Sequence, residues 1–215
     1  MIKTVIFDFD GTIGDSFKVA LEIAHQLTGK SELVDEKEVA RLRTLSLFKA
    51  ASTLQIPKRI WPILLIKGRK MMAERLVEVK LFPGIKQLIE KLYQADFQLY
   101  IVSSNSKSSI VKILNNYDML MYFRNIYGGI GILGKTKTLR LITKQKNINK
   151  DCLLYIGDET RDIVAAKKNH IKSVAVSWGY MSKKLLLEQE PWAVVDSVNQ
   201  LYSLILKWDQ SGQSE

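Results

Sequence analysis

Short apolar runs alternate with amphipathic stretches along most of the chain. Residues 3–9 and 97–102 form runs of strand length, whereas 84–93 places its apolar residues at the i, i+3, i+4, i+7 spacing of an amphipathic helix. The same pattern predicts further strands at 153–156, 174–177 and 193–195, and further helices at 16–28, after Ser106, at 160–169 and at 198–208. Apolar strands separated by helices indicate a parallel sheet covered on both faces. We therefore predict an α/β fold built on a parallel sheet.

Residues 16–80 interrupt this alternation. After Gly29 the segment has only helical patterns, including a long stretch from 58 to 79 that Pro62 starts or kinks. The sequence VKLFPG at 79–84 is interpreted as the segment in which the chain returns from the helical insert to the α/β core, because Pro83 and Gly84 are typical of a turn or loop. We interpret 1–15 and 81–215 as the α/β core and 16–80 as a helical insert.

Charge and composition narrow the possible partners. The 215 residues carry a formal net charge of +10: residues 16–80 and 135–150 each contribute a net +6, and the remainder contributes −2. A uniformly basic nucleic-acid binder is not expected to concentrate its positive charge in two separate blocks, although two blocks on one face would still form a footprint, so we do not expect nucleic acid as a partner. The lone Cys152 cannot form an internal disulfide, which suits a reducing, cytoplasmic location. No segment has the roughly 18 uncharged apolar residues of a membrane span, so we expect no membrane.

Acidic side chains follow two of the predicted strands. Ligands of parallel α/β sheets bind outside the carboxyl ends of the strands, so the residues there matter most. Asp8 and Asp10 follow the first strand and point to the same side, where two carboxylates repel unless a cation or proton intervenes. Hard oxygen ligands favour Mg²⁺. Asp158 and Asp162 follow the strand at 153–156 and open a helix, where acids also occur merely as capping and dipole partners.

Hydroxyl and amine groups follow in the same chain order. Ser103 and Ser104 come directly after the strand at 97–102, and Lys135 comes between a glycine-rich stretch at 128–134 and a helix. Taken singly, these are ordinary loop, capping and solvated residues. Their joint occurrence with the two acidic clusters indicates a single site assembled from several strand ends.

These residues carry a resemblance to the haloacid dehalogenase (HAD) superfamily, and most of all to its phosphoglycolate-phosphatase-like branch with a helical cap. The resemblance spans essentially the whole chain. The matching motif residues are Asp8 and Asp10 in the first motif, Ser103 in the second, Lys135 in the third, and Asp158 with Asp162 in the fourth. Lys137 is two residues from the third-motif position, but Lys135 stands directly before the helix as the family's lysine does. The resemblance implies a Rossmann-like core with 16–80 as an inserted cap.

The resemblance also implies a Mg²⁺-dependent phosphatase that hydrolyses a small phosphorylated metabolite through an aspartyl-phosphate. Asp8 would be the nucleophile, Asp10 the acid and base, and Asp162 the partner of Lys135 or of a metal-bound water. The ligands of Mg²⁺ would be Asp8, Asp158 and the Asp10 backbone carbonyl. The residues that would bind the phosphoryl group are Gly11, Thr12, Ser103, Ser104 and Lys135.

The identity of the substrate depends on the cap. Arg41 and Arg43 are candidates for contact with an anionic leaving group, and the alternative is that they are exposed helix charges. Two other functions stay open at this point. A sugar phosphomutase would use the same residues, and a non-catalytic HAD-fold protein would bind nucleic acid or protein, although the intact motifs weigh against the latter.

Overall fold

The core of the molecule is a six-stranded parallel sheet in the order β5-β4-β1-β6-β7-β8. The computed structural model describes residues 3–27, 29, 37, 41–42, 45, 61–131, 134–145 and 148–211. The strands are β1 (Thr4–Phe7), β2 (Gly14–Asp15), β3 (Lys80–Leu81), β4 (Gln98–Val102), β5 (Phe123–Tyr127), β6 (Leu153–Gly157), β7 (Lys172–Val176) and β8 (Ala193–Val195). The predicted parallel α/β fold is confirmed.

Helices flank the sheet, and none of those described combines the length and apolar character needed to cross a membrane. They are α1 (Phe17–Leu27), α2 (Trp61–Glu74), α3 (Ile85–Gln94), α4 (Lys107–Asn116), α5 (Lys135–Gln145), α6 (Thr160–Lys167), α7 (Lys183–Leu187) and α8 (Val198–Ser211). Short 3-10 turns lie at Leu76–Glu78, Leu120–Tyr122 and Lys150–Cys152. Ser106 caps α4 as expected, because its side chain accepts a hydrogen bond from the Ser109 amide.

Both faces of the sheet are buried, which explains why its central strands are apolar throughout. In β1, Val5 and Phe7 belong to one core cluster, and Ile6 between them belongs to the cluster on the opposite face. The predicted apolar stripe of α3, which includes Ile85 and Leu92, packs into the first of these clusters. Burial on two faces holds the central strands in register and so fixes where their carboxyl ends lie.

Besides the two-residue strands β2 and β3, three features of the fold differ from the sequence prediction. The edge strand β5 was not predicted, because polar Arg124 and Asn125 stand between its buried residues Phe123 and Ile126. The short helix α7 was also not predicted. The helix predicted to run to Val79 was too long, since α2 ends at Glu74 and a 3-10 turn follows it.

Two segments far apart in the chain, one before α1 and one after α2, pair with each other. Strands β2 and β3 pair antiparallel, with Gly14 opposite Leu81 and Asp15 opposite Lys80. The Phe82 amide also donates to the Ile13 carbonyl at 3.0 Å. Helix α1, which follows β2, contacts helix α2, which precedes β3.

Candidate active site

The site lies where three neighbouring strands end. Strands β4, β1 and β6 are adjacent in the sheet. Asp8 directly follows β1, Ser103 directly follows β4, and Asp158 directly follows β6. Parallel strands bring these three loops to one edge, as expected for a ligand site of this architecture.

A buried lysine lies between two buried carboxylates. Lys135, the first residue of α5, donates from Nζ to Asp8 Oδ2 at 2.6 Å and also to Asp162 Oδ1. Asp162 accepts two further hydrogen bonds, from the Tyr155 hydroxyl at 3.1 Å and from the Glu159 amide at 3.1 Å. Asp8, Lys135 and Asp162 each retain 2% or less of their exposed surface. Of the two candidate lysines, Lys135 contacts the buried aspartates, whereas the side chain of Lys137 is exposed.

Burial and mutual charge set the ionisation of this group. Burial raises the pKa of Asp8 to about 7, although the charge of Lys135 opposes the shift. Burial disfavours the charged form of Lys135, but Asp162 and Asp8 outweigh it and raise the pKa of the ammonium. Lys135 therefore stays charged, and Asp8 ionises at near-neutral pH in the absence of another cation.

Asp158 is held by the loop after β1 and the loop after β7. Its Oδ1 accepts from the Thr12 hydroxyl at 2.9 Å, and its Oδ2 accepts from the Tyr180 amide at 2.7 Å. A Cβ atom on Gly11, whose φ is +77°, would come within 2.1 Å of Asp158 Oδ2, and one on Gly179 would come within 2.3 Å of Asp158 Cβ. Only glycine therefore fits at positions 11 and 179. Burial, followed by the charge of Glu159 and nearby aspartates, raises the pKa of Asp158 well above its ordinary value.

Asp10 lies at the mouth of the site and is half-buried. Its Oδ1 accepts from the Ser16 hydroxyl at 2.7 Å and from Asn105 Nδ2 at 3.3 Å. Burial raises the pKa of Asp10, and the hydrogen bonds from Ser16 and Asn105 oppose the shift. A carboxyl group with a raised pKa can carry a proton closer to neutral pH, as a general acid must.

Two serines after β4 occupy different surroundings. Ser103 is buried, and its Oγ accepts from the Asn105 amide at 3.1 Å. Ser104 Oγ accepts from Arg161 at 3.1 Å, and Arg161 also forms an ion pair with Glu159. The loop after β4 is thus tied to the loop after β6 across the end of β1.

Three buried carboxylates are close enough to share a cation. Asp8, Asp158 and Asp162 offer oxygens that all lie within 4.8 Å of one another. Their burial disfavours three negative charges, and hard oxygen donors suit Mg²⁺, so the residues present fit the predicted metal. Asp162 belongs to this group although it was predicted to act on Lys135, and the Asp10 carboxylate does not belong to it.

The structure places the remaining sequence candidates as follows. The Gly11 amide donates to the Gly14 carbonyl at 2.8 Å, and the Thr12 hydroxyl is used by Asp158, so phosphate binding by these two stays a prediction. Arg41 is exposed, and Arg43 lies outside the described residues.

Sequence reasoning missed several residues that contact the site. They are Ser16, Asn105, Tyr155, Arg161 and Tyr180. Asn105 and Arg161 lie within a few residues of recognised motifs, and position alone could have marked them. Tyr155 and Tyr180 come from an apolar strand and from a loop without acidic residues, which gave no such signal.

The chain is similar to known proteins over most of its length. The family model described as haloacid dehalogenase-like hydrolase matches residues 5–176. A protein named phosphoglycolate phosphatase from Synechococcus elongatus is 29% identical over 206 residues, which cover 95% of this chain and 97% of that protein. Another of the same name from Vibrio parahaemolyticus is 26% identical over 219 residues, covering 95% and 96%.

Solved structures show the same fold. "A predicted phosphatase from Clostridium acetobutylicum" superposes with a TM-score of 0.79 at 24% identity, covering 96% of this chain and 100% of that chain. "A predicted phosphoglycolate phosphatase from haemophilus somnus 129pt" has a TM-score of 0.71 at 20% identity, covering 96% and 97%. At these identities the likeness concerns the fold alone.

Proposed function

Because the chain belongs to the haloacid dehalogenase-like hydrolases, we propose that it is a phosphatase for a small phosphate monoester of the phosphoglycolate kind, acting through a phosphorylated Asp8. The resemblance to this superfamily seen in the sequence is confirmed. The observation that carries the proposal is the buried Lys135 between Asp8 and Asp162, two carboxylates that also lie close to Asp158.

Asp8 is the nucleophile of the proposed reaction. A carboxylate at the end of a rigid central strand is held in place, and positioning makes a weak nucleophile effective. Asp8 Oδ1 accepts from the Phe9 amide at 2.7 Å, and Oδ2 accepts from Lys135 at 2.6 Å. The ammonium favours the ionised form of Asp8 and compensates negative charge when a phosphoryl group approaches.

Asp10 carries the proton in both half-reactions. It protonates the leaving-group oxygen when Asp8 attacks phosphorus, and it then accepts a proton from the water that hydrolyses the phosphorylated Asp8. A reaction whose leaving group needs no proton does not require the Asp10 carboxyl group. Its presence therefore favours phosphate esters of alcohols as substrates.

The acidic group formed by Asp8 and Asp158 would hold Mg²⁺, with the Asp10 backbone carbonyl as the further ligand expected from the family. Mg²⁺, when bound, supplies Lewis-acid neutralisation of charge on the phosphoryl oxygens. Asp162 is occupied by Lys135, Tyr155 and the Glu159 amide, so we assign it the role of holding Lys135 in place.

The phosphoryl group would be bound by Ser103, Ser104 and Lys135, assisted by Gly11 and Thr12.

Residues 16–80 would act as a lid that excludes water and contacts the leaving group, with hinges at Asp15–Ser16 and Leu81–Gly84. The pairing of β2 with β3 supports this, because it joins both hinge segments to the core at one place.

The test is phosphate release from a panel of phosphate monoesters, including 2-phosphoglycolate, with and without Mg²⁺. The wild type should release phosphate only with the metal, and Asp8→Asn should lose several orders of magnitude in turnover. Asp151→Asn is the matched control and should stay active, because Asp151 is an exposed acid at the opposite end of β6 from Asp158. Equal activity of the wild type and Asp8→Asn would refute the proposed mechanism.

A further inference from the structure

Tyr180 contacts residues of the loop after β1, the loop after β6 and the start of α1. It lies in the loop after β7, and its amide donates to Asp158 Oδ2 at 2.7 Å. Its ring backs Gly11, where a Cβ atom would come within 2.7 Å of Tyr180 Cδ1. The ring also meets Phe17, the first residue of α1, edge-on at a centroid distance of 4.9 Å. Tyr180 thus lies between the loop after β1 and the start of the insert.

The hydroxyl of Tyr180 completes a directed chain of hydrogen bonds. Tyr180 Oη and Ser16 Oγ are 2.8 Å apart, and Ser16 Oγ donates to Asp10 Oδ1 at 2.7 Å. A serine hydroxyl has one proton to donate. When Asp10 is ionised it can only accept, so Ser16 gives its proton to the carboxylate and Tyr180 is the donor in the other bond. Ser16 is fully buried, so no water competes for its hydroxyl.

Resting on the function proposed above, we propose that Tyr180 is a positioning residue for the acid–base step, acting through Ser16 on the Asp10 carboxyl group. With its donor in place, the Ser16 hydroxyl has one favourable orientation, which is toward Asp10. Asn105 Nδ2 approaches the same Asp10 oxygen at 3.3 Å. The two donors together hold one rotamer of the carboxyl group, and proton transfer depends on that geometry.

Tyr180→Phe removes the hydroxyl and nothing else. The ring contacts with Phe17 and Gly11 remain, and so does the main-chain amide that holds Asp158. Without its donor, the Ser16 hydroxyl can turn away from Asp10. Both substrates are compared by kcat/KM, which reports the transfer to Asp8 and not the later hydrolysis of phosphorylated Asp8, a step that both substrates share. We expect a roughly ten-fold loss of kcat/KM on an alkyl phosphate, whose leaving group needs the proton, since general acid catalysis contributes about 10²–10⁴-fold. On an aryl phosphate with a good leaving group, kcat/KM should change by less than about two-fold, because its departure requires little proton transfer.

The experiment compares these two substrates in Tyr180→Phe, Ser16→Ala and the control Tyr122→Phe. The Tyr122 hydroxyl donates to Glu90 at 3.2 Å, remote from the site, so its removal should leave both activities unchanged. Ser16→Ala should reproduce the selective loss, which keeps the test valid if one variant folds poorly. Adding Tyr180→Phe to Asp10→Asn should cause no further loss on the alkyl phosphate. The Mg²⁺ concentration for half-maximal activity should not change in Tyr180→Phe.

A merely structural role for Tyr180 would lower both activities alike, and this result would overturn the proposal, as would unchanged or increased alkyl-phosphate turnover. An additive effect of Tyr180→Phe in the Asp10→Asn background would overturn it as well. These failures leave the phosphatase function intact as long as Asp8→Asn is inactive. If Asp8→Asn is as active as the wild type, the proposed function fails and the role of Tyr180 fails with it.

Discussion

Replacing Asp8 by Asn should stabilise the metal-free protein at neutral and alkaline pH. Asp8 is almost fully buried, and burial raises its pKa from 3.8 to about 7 despite the opposing charge of Lys135. Below pH 3.8 the carboxyl group is protonated in both the folded and the unfolded chain. Between that value and about 7 the unfolded chain releases the proton while the folded chain retains it, so stability falls as the pH rises. Above about pH 7 the carboxyl group is ionised in both states, so the free energy of unfolding falls no further because of Asp8.

The shift sets the size of the effect. One pKa unit corresponds to about 1.4 kcal/mol, so a rise of roughly three units costs about 4 kcal/mol at alkaline pH. Between about pH 5.5 and pH 8 the wild type should lose about 2 kcal/mol more than Asp8→Asn. The pKa of about 7 already includes the opposing charge and hydrogen bond of Lys135, so their effect is not subtracted a second time. The informative quantity is the difference in pH dependence between the wild type and Asp8→Asn.

The measurement is urea unfolding followed by circular dichroism, in EDTA, at several pH values from about 5.5 to 8. The matched control is Asp15→Asn, because Asp15 is an exposed acid on β2 and should follow the wild-type profile. Adding Mg²⁺ at about pH 8 should stabilise the wild type more than Asp8→Asn, since a ligand that binds the folded state shifts the unfolding equilibrium. Parallel pH profiles for the wild type and Asp8→Asn would refute the reasoning that burial raises the pKa of Asp8.

Three further changes test other parts of the site. Lys135→Met removes the ammonium between two buried carboxylates and should lower the free energy of unfolding by about 3–5 kcal/mol in urea titrations, whereas the exposed Lys137→Met should have little effect. Gly179→Ala places a Cβ atom 2.3 Å from that of Asp158 and should abolish Mg²⁺-dependent phosphate release, whereas Gly131→Ala meets nothing within 4 Å and should stay active. A hexose 1-phosphate incubated with the enzyme should yield free phosphate and no isomer by NMR; an isomerised sugar phosphate would favour a mutase instead.

The parts of the molecule that the sequence predicted well are those with a local signal. Strands β1, β4 and β6 are buried on both faces, so their apolar runs stand out, and the polar residues that follow them define the ends. Lys135 was assigned through the resemblance to the family's third motif, and the structure places it as the first residue of α5, in contact with Asp8. Strand β5 lies at the edge of the sheet, and its polar residues hide the pattern.

The contacts that sequence reasoning missed depend on distant segments. Ser16 and Tyr180 are 164 positions apart, and neither belongs to an acidic or glycine-rich motif that would mark it. Their meeting follows from where the loop after β7 and the start of α1 pack against Gly11. The strands β2 and β3 were also not predictable from the sequence, because each has only two residues and so shows no periodicity. Such features become visible only when the sheet order is known.

The acidity of the site links metal binding to folding. Burial raises the pKa values of Asp8 and Asp158, so the ionised forms that the nucleophile and the metal ligand need are the forms that the metal-free fold disfavours. Lys135 compensates Asp8 and Asp162 but makes no hydrogen bond to Asp158 among the described contacts. A cation next to Asp158 would therefore stabilise the fold and ionise the nucleophile in the same step. We infer that the enzyme is most stable in the metal-loaded state in which it is competent for catalysis, and that Asp158→Asn would weaken both effects together.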